Sequence, residues 1–142
     1  MGRVSLIVME PGSAWPGHVG DSENLVTVGE YEDGMLLRIR QRLALLRRRG
    51  EQVRFAVLAC NEATDVASVA RRTALAHELL SAVAAVGFGR LVLTAAERAS
   101  MQLRCELLSL AGTLSHAGHG RTSATVSVRF GEATEGTEDS LY

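Results

Sequence analysis

Residues 53–65 read VRFAVLACNEATD, and the fold follows from how that stretch changes character. From Val53 to Ala59 the only polar residue is Arg54. An apolar run of this length with almost no alternation suits an interior strand covered on both faces. Six residues after the run, Asp65 stands where a carboxylate can cap the first turn of a helix, and apolar residues recur beyond it at Val69, Ala76, Leu80 and Val83 as far as a stop at Gly87. A buried strand feeding directly into an amphipathic helix is the opening half of a parallel β-α-β unit.

The same unit recurs on either side. GRLVLTA, Gly89 to Ala95, repeats the strand. Thr94 and Glu97 have the spacing of a capping box, ahead of a stripe at Leu103, Leu107, Leu110 and Leu114. GHGRTS then turns the chain into ATVSVRF, Ala124 to Phe130. Upstream, VSLIVM (Val4 to Met9) reads as a first buried strand and ENLVTVG as a short edge strand. GMLLRIRQRLALLRRRG follows as a helix with Leu36, Ile39, Leu43 and Leu46 on one stripe, Asp33 as its cap and Gly50 as its stop. The expected fold is α/β, a three-layer arrangement with a mostly parallel central sheet of four to five strands and helices on both faces. It occupies residues 1–131 as one domain, and EATEGTEDSLY, with four acids and no base, reads as a loose acidic tail over 132–142.

Composition narrows the chemistry. All fifteen basic residues of the 142-residue chain are arginine, so neither a lysine Schiff base nor a phosphate-loop lysine is available. Without the acidic tail the body is only mildly positive, which argues against nucleic acid as a partner. No run reaches the roughly 18 apolar residues of a membrane span. The two cysteines form no disulfide framework, which points to a reducing, cytoplasmic setting.

In a parallel sheet ligands gather beyond the carboxyl ends of the strands. Glu10 and the loop PGSAWPGHVGD, Cys60 with Asn61, and Thr94 all fall there. Glu10, Trp15, Asp21, Asn61 and Thr94 are therefore the candidate ligand-binding residues, the first three in a loop from Glu10 to about Asn24 that is long enough to be a binding segment. Cys60 is the candidate nucleophile, since the helix start that follows can lower a thiol pKa, with His18 as its base. The competing reading is a buried structural thiol. Glu10, His18 and Asp21 could form an oxygen and nitrogen donor set, but a solvated acidic loop accounts for them equally, and no metal is assigned. No cofactor is identified.

FAVLAC, together with the glycine-flanked His18, resembles the strand-end Cys and His of caspase-like hydrolases. That resemblance implies a peptide-cleaving Cys60/His18 dyad on adjacent parallel strands. His18 is followed by Val19, where the family pattern has a tight His-Gly pair.

Three functions compete on these residues. The leading one is a small ligand-binding or regulatory domain, with a small molecule at the strand ends and self-association as a mode of action. A cysteine hydrolase is the second. The third is a partner protein that docks an acidic surface through its arginine-rich helix, with Arg38 and Arg42 in contact.

Overall fold

The computed structural model describes residues 3–13, 25–29, 34–85, 89–117 and 124–131. Five strands and three helices alternate along the chain: β1 (Arg3–Met9), β2 (Leu25–Gly29), α1 (Met35–Arg48), β3 (Gln52–Ala59), α2 (Val66–Ala84), β4 (Arg90–Ala95), α3 (Met101–Ala117) and β5 (Thr125–Phe130). The strands form one sheet in the order β2-β1-β3-β4-β5, and every neighbouring pair is parallel. The apolar run from Val53 to Ala59 lies in β3, the central strand, held between β1 and β4. The final strand is parallel like the rest.

The α/β alternation and parallel sheet expected from the sequence are thus present, with both faces of the sheet buried. From β2 onward each connection runs in one direction across the sheet, and right-handed crossovers put the helices that make them on one face. Accordingly α1 packs on α2, and α2 on α3. The large core beneath them joins Leu6, Val8, Ala56, Leu58, Leu91 and Leu93 to Ile39, Leu79, Val83, Leu103 and Leu107. On the opposite face Ile7, Phe55, Val57 and Val92 form a second buried cluster. Residues 14–24 of the β1–β2 connection and the acidic tail lie outside the described residues.

Local signals decide where the helices start and stop. Asp65 caps α2 as expected, accepting the Ser68 N–H at 3.2 Å. Gly50 has a left-handed φ of 73°, and the Gly50 and Glu51 N–H groups close onto the Arg47 and Leu46 carbonyls, the glycine stop expected for α1. The cap position of α1 is occupied by Gly34, also left-handed, where Asp33 was expected; Asp33 lies outside the described residues. α2 ends at Ala84 with Ala85 as its cap, short of the expected Gly87, which is also outside them. Gly89, just ahead of β4, lies so close to the end of α2 that a Cβ would be 2.1 Å from the Val83 carbonyl oxygen, a contact no other residue could make.

The capping box does not form. Thr94 belongs to β4, and α3 begins at Met101, where the Ser100 hydroxyl accepts the Leu103 N–H. β4 therefore keeps Thr94 in its pairing with Ala59 and Arg129, and a short turn separates strand from helix.

Candidate functional site

The strand order reverses direction between β1 and β3, which makes their carboxyl ends the switch point of the sheet. Pairing runs past the strands there. The Glu10 N–H donates to the Ala59 carbonyl at 2.9 Å, and the Cys60 N–H to that of Thr94 at 2.8 Å. Side chains in a strand alternate between faces, so Glu10 follows Val8, and Cys60 follows Leu58, toward the helices.

Facing Glu10 is Arg72 of α2, whose side chain is wholly buried. A buried guanidinium is tolerable only if its donors are met and its charge is opposed. Arg72 Nη2 donates to Glu10 Oε1 at 2.8 Å, Nε to Glu10 Oε2 at 3.2 Å, and Nη1 to Glu106 Oε2 of α3 at 2.5 Å. Nη2 also reaches the Ala63 carbonyl at 3.0 Å. Asn61 completes the knot. Its N–H donates to Glu10 Oε1 at 2.9 Å and its Nδ2 to the Pro11 carbonyl at 2.8 Å, while its Oδ1 accepts the Ala63 N–H. One cluster thus fastens the loops after β1 and β3 to each other and to α2 and α3.

The electrostatics follow from burial and from there being two carboxylates for one guanidinium. For Arg72, burial opposes the charged form, but the hydrogen bond and charge of Glu10 outweigh it, so the charge is held. Burial pushes the Glu106 carboxyl up from its ordinary value against the pull of Arg72, and its Oε1 is buried without a partner. The Cys60 thiol is pushed well up, first by burial and then by the Glu10 charge, with Arg72 acting the other way. Its Sγ lies 3.6 Å from the Leu58 carbonyl oxygen. Ser13, in the loop after β1, also has a buried hydroxyl oxygen with no hydrogen-bond partner.

Of the residues expected at a site, the structure brings Glu10, Cys60 and Asn61 together. Thr94 lies beside them in the sheet and accepts the Cys60 N–H through its carbonyl, but its side chain alternates to the other face with Val92. Trp15, His18 and Asp21 lie outside the described residues. Arg38 is exposed and Arg42 half-buried on α1, away from the knot. Among the described residues no group of three or more His, Cys, Asp or Glu side chains is placed to hold a metal ion.

Arg72 and Glu106 are the residues that sequence reasoning missed. The signal was there. Arg72 stands between Ser68 and Leu75 on the buried stripe of α2, a charged residue at a core position. Glu106 adjoins Leu103, Leu107 and Leu110, the buried stripe of α3.

Comparison of the chain with protein-family models, with curated proteins and with solved structures gives no match.

Proposed function

We propose that this chain is a small cytoplasmic α/β ligand-binding or regulatory domain whose small-molecule site is the carboxyl edge of β1 and β3. The observation that carries the reading is the Glu10–Arg72–Glu106 knot at the switch point, with Asn61 tying both flanking loops to it. A rigid base under two loops is what a binding edge needs, because loops ordered beforehand cost less to immobilise when a ligand arrives. The unpartnered hydroxyl of Ser13 supplies a polar group in one of those loops. Glu10 and Asn61 then act mainly as the frame, since their polar atoms are already engaged.

The burial of Cys60 and its raised pKa weigh against the hydrolase reading, because a nucleophilic thiol must be accessible and deprotonated in use. Amide NMR of the labelled protein, titrated with a panel of nucleotides, sugars, amino acids and carboxylic acids, tests the ligand reading. Shifts gathered at Glu10–Ser13, Asn61–Asp65 and Ala96–Ser100 are expected. A ligand whose shifts cluster only at the amino ends of the strands would overturn it.

A further inference from the structure

The two ends of the helix layer differ in a complementary way. The exposed large apolar side chains of the described residues are Leu37, Val66 and Met101, at 59%, 87% and 73% exposure, and each lies in the first turn of its helix, α1, α2 and α3 respectively. All are therefore at the carboxyl edge. Val66 and Met101 open helices that are tied together at this end, where the Glu62 carboxylate just ahead of α2 accepts the N–H of Ser100 just ahead of α3 at 3.2 Å. Glu62, Asp65 and Glu97, all exposed, stand within four residues of them in the chain, with Arg98 as an opposing charge.

The opposite end is a groove. Between the last turns of α1 and α2 and the start of β3 lies a cavity of about 320 Å³ floored by Leu43, Leu46, Val53, Ala82 and Ala85. Arg47 lines its rim with Glu51 and Glu78, and Glu78 is already paired with Arg40 at 2.8 Å. Arg48 and Arg49 extend the positive charge beyond the rim.

We propose that copies of this chain associate head to tail, with Val66 and Met101 at the carboxyl edge of one copy entering the α1–α2 groove of the next. Glu62, Asp65 and Glu97 then face the arginines at the end of α1. Apolar knobs flanked by three acids meet an apolar groove that has Arg47, Arg48 and Arg49 at one end and Glu78 neutralised by Arg40, and that net charge difference is the pattern a second copy supplies. The contact joins two different surfaces, so each copy keeps one free knob and one free groove, and the assembly grows into a ring or an open chain of copies. The knob surface adjoins the proposed ligand edge, but the association itself requires no ligand.

Sedimentation velocity of the full chain from about 10 to about 500 μM, at low and at high salt, tests it, since exposed charge attraction is screened. Mass is expected to climb past the dimer with concentration, and added salt to weaken it. Met101→Asp removes a knob and Ala82→Met fills the groove; both keep helix-compatible residues, and Val66→Asp is a second knob variant. Each is expected to weaken association roughly tenfold or more. An equimolar mixture of Met101→Asp and Ala82→Met retains one intact knob and groove, so it is expected to form a complex that stops at the dimer. A wild-type chain that stays monomeric throughout, variants that assemble like wild type, or a mixture that fails to complement would each overturn the proposal.

Discussion

Replacing Arg72 by Met removes the centre of the buried knot while keeping a chain of similar length in its place. Glu10 and Glu106, at 3% and 16% side-chain exposure, lose the cation between them. The carbonyl of Ala63 loses its donor at the same time. Removing one partner of a buried ion pair costs about 3–5 kcal/mol, because the charge left behind is uncompensated. At about 3 °C per kcal/mol for a chain of this size, that is a fall in Tm of roughly 10–15 °C. The sign with pH follows from the same physics. Burial already pushes the Glu106 carboxyl up, and without Arg72 the main pull against that rise is gone, so the deficit is largest near neutrality and shrinks as pH falls through the raised value. Urea unfolding at pH 7.5 and pH 5 measures both effects. The triple variant Glu10→Gln, Arg72→Met, Glu106→Gln is expected to recover most of the loss, since no buried charge remains. A deficit under about 1 kcal/mol that is indifferent to pH would refute the assignment of Arg72 as a buried, charged centre.

Glu106→Gln separates the two carboxylates: the raised pKa of Glu106 means that its contribution is present below about pH 4.3 and lost as pH rises through the folded value, so the variant is expected to gain on wild type at neutral pH in urea titrations. Cys105 is exposed and Cys60 buried, so alkylation at pH 8 followed by mass spectrometry is expected to label Cys105 at once and Cys60 only at the rate of opening. Fast labelling of Cys60, lost in His18→Ala, would revive the hydrolase reading. Gly89→Ala forces a Cβ against the Val83 carbonyl oxygen and is expected to cost at least about 2 kcal/mol by thermal or urea unfolding; a cost below about 0.5 kcal/mol would show that the turn relaxes freely.

What the sequence disclosed and what it withheld divide along a physical line. Strands β1, β3 and β4 were legible because the interior of a parallel sheet demands runs such as VSLIVM and VRFAVLA, and few other structures do. The Asp65 cap and the Gly50 stop were legible because each acts through the backbone within a few residues. Thr94 and Glu97 misled for a related reason. Their spacing satisfies a local rule, but the pairing of Thr94 with Ala59 and Arg129 in adjacent strands holds it in β4, and tertiary pairing outweighs a cap that Ser100 can supply instead.

The knot was withheld because none of its meaning is local. Arg72 lies 62 residues from Glu10 and 34 from Glu106 in sequence, and each looks ordinary beside its neighbours. Its clue was a charge at a core position of α2, and that clue becomes specific only once the sheet order sets α2 over the ends of β1 and β3. A hydrophobic trio in the same space would hold the elements together at least as well, since buried ion pairs rarely add net stability over well-packed apolar groups. What the ions add is position. An Arg with donors on two sides fixes Glu10, Asn61 and Ala63 relative to one another in a way that Leu or Met could not, and it does so at the switch point, where an open parallel sheet receives its ligands. Recovery of stability in the triple variant, combined with loss of ligand-induced shifts at Glu10–Ser13 and Asn61–Asp65, would separate those two roles and place the knot in the service of the site rather than of the core.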